Sequence, residues 1–310
     1  MPDGADGARP LPRLDAGKLA LPRYASVQEI LDHPRFLIAR DHYLKVSVSA
    51  YQGDRVMRHL MHDIARHVLF NIILGRHAGM QPEDPETWPT VGRLREIFLA
   101  FNMASPRSFD EMLARMEVIG LITLAPVPGD RRRKLVIPTE TMIAEDLTWL
   151  ARHISPLAVL FPERSDYLPA LNHDRAYQRV LRLFSSQNLG VARDVLAPED
   201  PVSILFRRQD AHLIVFIYVL DALARGSNTA SVRFEVAAEQ LSTSRTHIRN
   251  LLRDLEALGL VRLYGRGGHG VELMPALWRW VDHFLAASMS GHDMIWQATR
   301  QILQAQSAAA

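Results

Sequence analysis

One segment of this chain occurs twice, and equivalent positions of the two copies are offset by 139 residues. The sequence MEVIGLI at 116–122 aligns with LEALGLV at 255–261, and the same spacing pairs Ser105 with Ser244. Upstream of these serines the alignment needs a slip of one residue. A repeat at a fixed spacing indicates that one structural unit is present in two copies. With 310 residues, the chain is long enough for each copy to bury a core of its own.

The first copy has the pattern of helices followed by a hairpin. Residues 54–73 carry an apolar side chain at every fourth position, which predicts a helix. Thr90 is suited to cap the short helix that follows. Residues 121–124 and 135–137 are apolar and flank a turn and four cations, so we expect two strands joined by a basic loop.

Between these elements lies the best-defined helix of the first copy. Ser105 can cap it, with Pro106 at the first helical position, while Ser108 and Glu111 offer an alternative capping box. Gly120 is a natural residue to end it. The apolar face predicted from helical periodicity consists of Phe109, Met112, Leu113, Met116 and Ile119.

The second copy repeats this order. We expect one long helix at 203–225, a short helix at 234–241 and a third helix at 245–258. Two strands, 260–263 and 271–273, follow around a glycine-rich turn. The apolar stripe of the third helix is Ile248, Leu251, Leu252 and Leu255.

A short helix, a tight turn, a second helix and a two-stranded loop are the elements of a helix-turn-helix with a wing. In the first copy the loop GDRRR at 129–133 follows a helix that exits through E-x-x-G-L-I. In the second copy LSTSRTHIRNLLRDLEALGLVRL at 241–263 is the better match to a DNA-contacting helix. Over roughly 55–150 and 205–285 the chain resembles the MarR-like winged-helix transcription regulators. Members of that family usually have one winged helix per chain, whereas here there are two.

The resemblance implies a fold that is mainly α with small β wings, in which tandem winged helix-turn-helix domains are joined by helical segments. The expected division is a flexible N-terminal arm at 1–25, a first winged-helix domain at 26–150, a helical linker at 151–202, a second winged-helix domain at 203–285 and a C-terminal helix at 286–310.

The resemblance also implies that the second helix of each helix-turn-helix, the recognition helix, enters the major groove of double-stranded DNA. Arg and Asn near its start can contact guanine and adenine through paired hydrogen bonds, and cations of the hairpin can contact phosphates or a narrow minor groove. The expected DNA-binding residues are Arg107, Ser108, Arg131, Arg132, Arg133 and Lys134 in the first copy, and Ser244, Arg245, Thr246, His247, Arg249, Asn250, Arg253, Arg262 and Arg266 in the second.

The charges of the two copies differ. The whole chain has a formal charge of only +2, so any attraction to nucleic acid must be local. The first recognition helix carries Asp110 and Glu111, which phosphates would repel. In the second, cations outnumber anions more strongly. We therefore expect the second recognition helix to contact bases more favourably than the first, and the first wing to bind phosphates more strongly than the second.

Signals for other chemistry are weak. His59, His62, Asp63 and His67 lie at i, i+3, i+4 and i+8 of one predicted helix, which would suit a metal ion, but such clusters are more often exposed or capped histidines. The chain has no cysteine, which excludes disulfides and thiol catalysis. Its glycine-rich loop at 265–270 lacks the Lys-Ser/Thr pair of a phosphate-binding loop. We expect no metal, no cofactor and no enzymatic activity.

No targeting or membrane segment is expected. Pro, Asp and Arg interrupt the first 25 residues, and the longest apolar run, Leu213 to Leu220, is far shorter than the roughly 20 residues of a spanning helix. The run predicts a buried helix in a cytoplasmic protein with no membrane partner. Trp278, Trp280 and Phe284 have helical spacing and predict core or dimer surface.

The function expected is that of a sequence-specific DNA-binding transcription regulator, whose partners are double-stranded DNA, an unidentified small-molecule effector and a second copy of the chain. The two winged helices could form a pseudo-dimer within one chain, with half-sites about 34 Å apart, or segments such as Leu277 to Leu303 could pair two chains. Two alternatives remain: a plasmid-type replication initiator with tandem winged helices, and a scaffold whose winged helices bind proteins instead of DNA.

Overall fold

The computed structural model describes residues 22–53, 64–102, 104–188, 201–206, 208, 210–265 and 270–308. The protein is mainly helical and has two small antiparallel sheets within these ranges. None of the helices described has both the length and the apolar character needed to cross a membrane.

The first copy of the repeat lies in what we call the N-terminal unit, residues 64–160. Two helices precede it, α1 (Val27–Leu31) and α2 (Phe36–Gly53). The unit itself consists of α3 (Ile64–Ala78), a 3₁₀ turn (Pro85–Thr87), α4 (Val91–Leu99), α5 (Pro106–Val118), β1 (Ile122–Val127), β2 (Asp130–Pro138) and α6 (Glu140–Leu160). The two strands form an antiparallel hairpin, and Thr90 makes an isolated bridge to Leu135 of β2.

The second copy lies in the C-terminal unit, residues 211–308. Between the units are a 3₁₀ turn (Ser165–Tyr167), α7 (Leu168–Leu171), α8 (Arg175–Gln187) and α9 (Pro201–Phe206). The unit consists of α10 (Ala211–Ala224), β3 (Thr229–Ala230), α11 (Phe234–Gln240), α12 (Arg245–Ala257), β4 (Val261–Tyr264), β5 (Gly270–Leu273) and α13 (Pro275–Ala308). Its strands form one antiparallel sheet in the order β3-β5-β4.

The repeat is exact in the backbone of α5 and α12, which are both 13 residues long. The hydroxyls of Ser105 and Ser244 cap them, each accepting a hydrogen bond from the amide three residues later. Each helix ends before a glycine with left-handed backbone, Gly120 at φ 78° and Gly259 at φ 69°. The structure thus uses Ser105 as the cap of α5, one of the two alternatives that the sequence left open.

Each of these helices packs its predicted apolar face into a core. Ile119 is only partly buried, but the rest of the predicted face of α5 and the whole stripe of α12 are buried. The buried residues are Phe109, Met112, Leu113 and Met116 in α5, and Ile248, Leu251, Leu252 and Leu255 in α12. The core of α12 is the larger of the two and continues into α2, α6, α10 and α13.

The two units are joined through α8 as well as by the direct packing of α6 against α13. Asp146 of α6, which is fully buried, accepts hydrogen bonds from Nε of Arg182 in α8 at 3.0 and 2.9 Å. α8 also crosses α3 closely, because a Cβ added at Gly75 would lie 2.3 Å from Cβ of Ser186. At the end of α13, Ile302 packs against Val180 of α8. The helices between the units therefore connect both cores.

Several predicted boundaries differ from the structure. The long helix predicted at 203–225 is wrong: α9 and α10 are separate, because Asp210 adopts a left-handed backbone with φ 57° before α10. The predicted domain boundaries at 150 and 285 fall inside α6 and α13, each of which is continuous. The buried helix predicted around Leu213 to Leu220 is confirmed as α10.

Other predictions are tested only in part. Of the helix predicted at 54–73, residues 54–63 lie outside the described residues, and the rest belongs to α3, which continues to Ala78. Most of the predicted arm at 1–25 also lies outside the description. The aromatic residues Trp278, Trp280 and Phe284, predicted as core or dimer surface, are partly buried and pack against the larger core. Trp280 stacks on Phe206 with ring centroids 3.4 Å apart and on Phe284 at 4.9 Å.

Candidate nucleic-acid interface

The exposed face of α12 carries a group of cations and an amide. Arg245, Thr246, Arg249, Asn250 and Arg253 are exposed along this face. The helix is amphipathic, so the turn that buries Ile248 and Leu252 necessarily points these side chains outward. Ser244, the N-cap, is exposed too but uses its hydroxyl to accept from the amide of His247 at 3.0 Å, and His247 is half-buried. Five of the predicted residues therefore share one solvent-facing surface.

Two of these arginines have no carboxylate partner within the part of the chain that the structure describes. The guanidinium of Arg249 lies over the ring of Phe234, 5.9 Å from its centroid, and Arg253 projects from the following turn. Arg245 differs, since its Nη1 lies 3.1 Å from Oε1 of Glu235 on α11. Arg249 and Arg253 are the cations of α12 most available to an anionic ligand.

The corresponding face of α5 is neutralised by its own acids. Nε of Arg107 donates to Oε1 of Glu111 at 2.8 Å, and this hydrogen bond raises the pKa of Arg107. Asp110 is paired with Arg95 of α4. The hydroxyl of Ser108 lies 3.0 Å from that of Ser105 and is partly buried. The two residues predicted to contact bases from α5 are therefore already engaged with neighbours in the chain.

The hairpin of the N-terminal unit presents four consecutive cations. Arg131, Arg132, Arg133 and Lys134 are all exposed in β2, and none has a carboxylate partner among the described residues. Gly129 turns the hairpin with φ 79°, and Oδ1 of Asp130 accepts from the amide of Arg132 at 3.0 Å. The cations alternate between the two faces of the strand, so either face of the hairpin tip is positive.

A groove of about 680 Å³ runs between this hairpin and α5. The hairpin supplies the cations Arg132, Arg133 and Lys134, and the helices supply charges of both signs: Arg93 and Glu96 from α4, Asp110 and Glu117 from α5. The hairpin is therefore the uniformly positive part of the groove, where a polyanion is favoured.

The hairpin of the C-terminal unit is less cationic in its described part. Arg262 faces Glu272 directly across the antiparallel pair β4–β5 and forms an ion pair with it. Arg266 lies outside the described residues, as does most of the glycine-rich turn. Tyr264 is exposed and covers Gly270, where a Cβ would lie 2.4 Å from its ring. The described strands thus contribute an aromatic surface and little free charge.

The predicted metal-ligand candidates receive little support. His59, His62 and Asp63 lie outside the described residues. His67 lies beside Trp149, with ring centroids 5.1 Å apart, and burial lowers its pKa to about 3. Among the described residues there is no group of three or more His, Cys, Asp or Glu side chains placed to hold a metal ion.

A cluster of histidines, not predicted from the sequence, lies where the two units meet. Trp149 and His153 of α6 stack at 3.8 Å, and the ring of His292 on α13 lies 4.9 Å from that of His153. Burial lowers the pKa of His153 and takes that of His292 to about 4. The spacing of Trp149 and His153 places them on one helical face, but their meeting with a helix 139 residues away is a tertiary contact that no local pattern encodes.

Comparisons with known proteins add no assignment. No protein-family model matches the chain, and no curated protein matches it significantly. Functional inference therefore rests on the fold and the surfaces described above.

Proposed function

We propose that the chain is a sequence-specific DNA-binding transcription regulator with no catalytic step, in which the N-terminal and C-terminal units are tandem winged helices. In this proposal α5 and α12 are the recognition helices, and the β1–β2 and β4–β5 hairpins are the wings. The proposal is supported by the order of elements, since helix, helix and antiparallel hairpin follow one another in both units.

The observation that carries the proposal is the exposed face of α12. Arg249, Asn250 and Arg253 project from the side opposite the buried stripe, and no carboxylate among the described residues neutralises the two arginines. Arg and Asn are the side chains that form paired hydrogen bonds with guanine and adenine. A helix with this face fits a major groove about 12 Å wide.

The N-terminal unit then serves mainly to hold the DNA backbone. Arg131, Arg132, Arg133 and Lys134 are exposed and can contact phosphates, whereas α5 carries Asp110 and Glu111 on its exposed surface and gains little from approaching bases. We therefore assign base contacts to α12 and phosphate contacts to the β1–β2 hairpin.

We favour a pseudo-dimer within one chain over a dimer through α13. The apolar side chains of α13, among them Leu277, Leu285, Met289 and Ile302, are already buried inside the protein. A helix whose apolar face is occupied has little left to bury against a second copy.

A salt titration with mixed-sequence duplex DNA tests the proposal. We expect log affinity to fall linearly with log salt concentration, with a slope that corresponds to several phosphates. Absence of binding at about 50 mM salt and micromolar protein would contradict it, because even non-specific binders are detected under such conditions. Selection of binding sites from genomic fragments then separates a regulator, which would recover promoter-proximal operators, from a replication initiator, which would recover iterated origin repeats.

One observation favours a second candidate, a scaffold whose winged helices bind proteins. The exposed face of α5 is built of ion pairs, Arg107 with Glu111 and Arg95 with Asp110, and mixed charge of this kind suits a protein partner better than DNA. The same titration decides between the two, since a scaffold would leave the duplex unbound at every salt concentration.

A further inference from the structure

A small cleft lies where helices of both units meet. Its volume is about 140 Å³, and it is lined by α2, α6, α10 and α13. Tyr43 and Ser47 belong to α2, and Phe216 belongs to α10. The polar lining comes mainly from α6 and α13: Trp149, Arg152, His153, Ser288 and His292. The cleft therefore touches the last helix of each unit and the first helix of the C-terminal unit.

One wall of the cleft is flat and aromatic. The ring of His153 stacks on Trp149 at 3.8 Å, with an interplanar angle of 27°. The guanidinium of Arg182 lies 5.1 Å from the centroid of the same indole. Phe216 and Phe284, whose centroids are 6.1 Å apart, also line the cleft. These rings give the cleft a largely aromatic lining, which suits a small planar ligand.

Three histidines line the cleft, and two of them, His153 and His292, present hydrogen-bond acceptors. Nδ1 of His153 donates to the carbonyl of Trp149 at 2.8 Å, and Nδ1 of His292 donates to the carbonyl of Ser288 at 2.6 Å. Because burial lowers the pKa of both imidazoles, each ring is neutral near pH 7 and keeps a lone pair on Nε2. Neither Nε2 has a hydrogen-bond partner among the described residues.

The cleft also has donors that lack partners. Nε1 of Trp149 and Nη1 of Arg152 are buried and find no acceptor within the part of the chain described. A buried donor without a partner costs free energy, so such atoms are normally paired with protein, water or a ligand. Arg152, which lines the cleft, can therefore supply donors beside the imidazole acceptors.

We infer that this cleft binds a single uncharged planar ring that carries both hydrogen-bond donors and acceptors, the chemistry of a pyrimidine base. The volume is close to the roughly 150 Å³ of an engineered cavity that admits benzene. A ring N–H satisfies an imidazole lone pair, and a ring carbonyl satisfies the guanidinium of Arg152. Arg152 repels a cation and attracts negative charge, whereas the imidazole lone pairs repel an anion, so a neutral ring with a carbonyl toward Arg152 and an N–H toward an imidazole satisfies both.

The direct test titrates the full chain with 5-fluorouracil, followed by ¹⁹F NMR, and with uracil, followed by calorimetry. We expect saturable binding with a dissociation constant in the micromolar to millimolar range, as befits so few ligand atoms. Benzene fills the cavity without hydrogen bonds and benzoate adds a negative charge, so both should bind about tenfold more weakly or worse.

Variants locate the site. Arg152→Met removes the donor and His292→Phe removes an acceptor at similar volume, so each should weaken uracil about tenfold, whereas Arg279→Met, an exposed arginine on α13, should leave it unchanged. Thermal melts establish that each variant is folded. The inference is overturned if uracil does not saturate up to about 10 mM, a concentration that would detect even millimolar affinity, if benzene or benzoate binds as tightly, or if both cleft variants bind like the wild type.

Discussion

The two units of this protein place opposite charges at equivalent positions of the same helix. The fifth residue after the N-cap is Asp110 in α5 and Arg249 in α12. Asp110 is held by Arg95, whereas Arg249 lies over Phe234 with no acidic partner among the described residues. The buried faces of the two helices nevertheless match position by position. The fold is therefore determined by the apolar face, which leaves the exposed face free to diverge in function.

The ion pair between the two helices of each unit shows the same reversal. In the N-terminal unit α4 supplies the cation, Arg95, and α5 the anion, Asp110. In the C-terminal unit α11 supplies the anion, Glu235, and α12 the cation, Arg245. Because both pairs are exposed, neither contributes more than about 1 kcal/mol of stability, so the sign can change without loss of the fold.

The largest effect is expected from the buried ion pair beside the N-terminal unit. Asp146→Asn leaves the buried guanidinium of Arg182 without its charge partner and should lower the free energy of unfolding by about 3–5 kcal/mol. The matched change in the C-terminal unit, Asp254→Asn, breaks an exposed pair with Arg208 and should cost less than about 1 kcal/mol. Urea denaturation measures both. Equal losses of unfolding free energy would contradict the expectation that burial decides how much each ion pair stabilises the protein.

A pH titration tests whether the two units unfold together. Burial lowers the pKa of His77, in α3, and of His212, in α10, to about 4. Since these folded-state values lie below the unfolded value near 6.5, the unfolded chain takes up protons first as the pH falls. Stability is then complete above pH 6.5 and is lost toward pH 4, by up to about 1.4 kcal/mol per pH unit for each imidazole.

Single substitutions show how much each unit contributes to the dependence of unfolding free energy on pH. His77→Gln and His212→Gln should each flatten the dependence of unfolding free energy on pH, and by similar amounts if the units form one cooperative structure. His283→Gln, at an exposed position of α13, serves as the control. Two separate unfolding transitions, each sensitive to only one of the substitutions, would contradict cooperative unfolding.

The contrast between Arg249 and Asp110 is tested by changing each in turn. If α12 contacts bases, Arg249→Ala should weaken binding to the selected site by about 1–3 kcal/mol and reduce discrimination among sites. Asp110→Asn removes a negative charge from α5 and should strengthen binding to all duplexes slightly. Fluorescence anisotropy with selected and scrambled duplexes measures both effects. Our assignment of the two helices is reversed if Asp110→Asn changes sequence preference and Arg249→Ala does not.

The smallest effect is expected at the β1–β2 hairpin. Arg132→Ala should weaken binding to every duplex by a similar factor and reduce the slope of log affinity against log salt by about one, because a single phosphate contact is lost. Arg279→Ala, on the exposed side of α13, removes an equal charge elsewhere. An unchanged slope for Arg132→Ala would remove the hairpin from the interface.

The repeat was predictable because its signals are local. The caps at Ser105 and Ser244, the terminating glycines and the spacing of apolar residues all act within a few residues, and the structure has each of them. The turn at Asp210 was missed because the apolar run after it and the residues before it both favour helix, and the break depends on one left-handed residue.

The residues of the candidate surfaces were predictable from the sequence, but the ion pairs that they form were not. Arg107 and Arg249 both lie near the start of their helices, yet Arg107 is paired with Glu111, whereas Arg249 has no carboxylate partner among the described residues. The histidine cleft was not predictable, because Trp149 and His292 come from helices far apart in the chain and meet only through packing.

The continuity of α13 has a mechanical consequence. The helix has 34 residues and spans roughly 50 Å, of which about 40 Å separate the end of the β4–β5 hairpin from the contact of Ile302 with Val180 on α8. α8 also packs closely on α3 and forms a buried ion pair with α6. α13 therefore holds the two units at a fixed distance. Under the proposed function, such a rigid frame would tolerate little variation in the number of base pairs separating two half-sites.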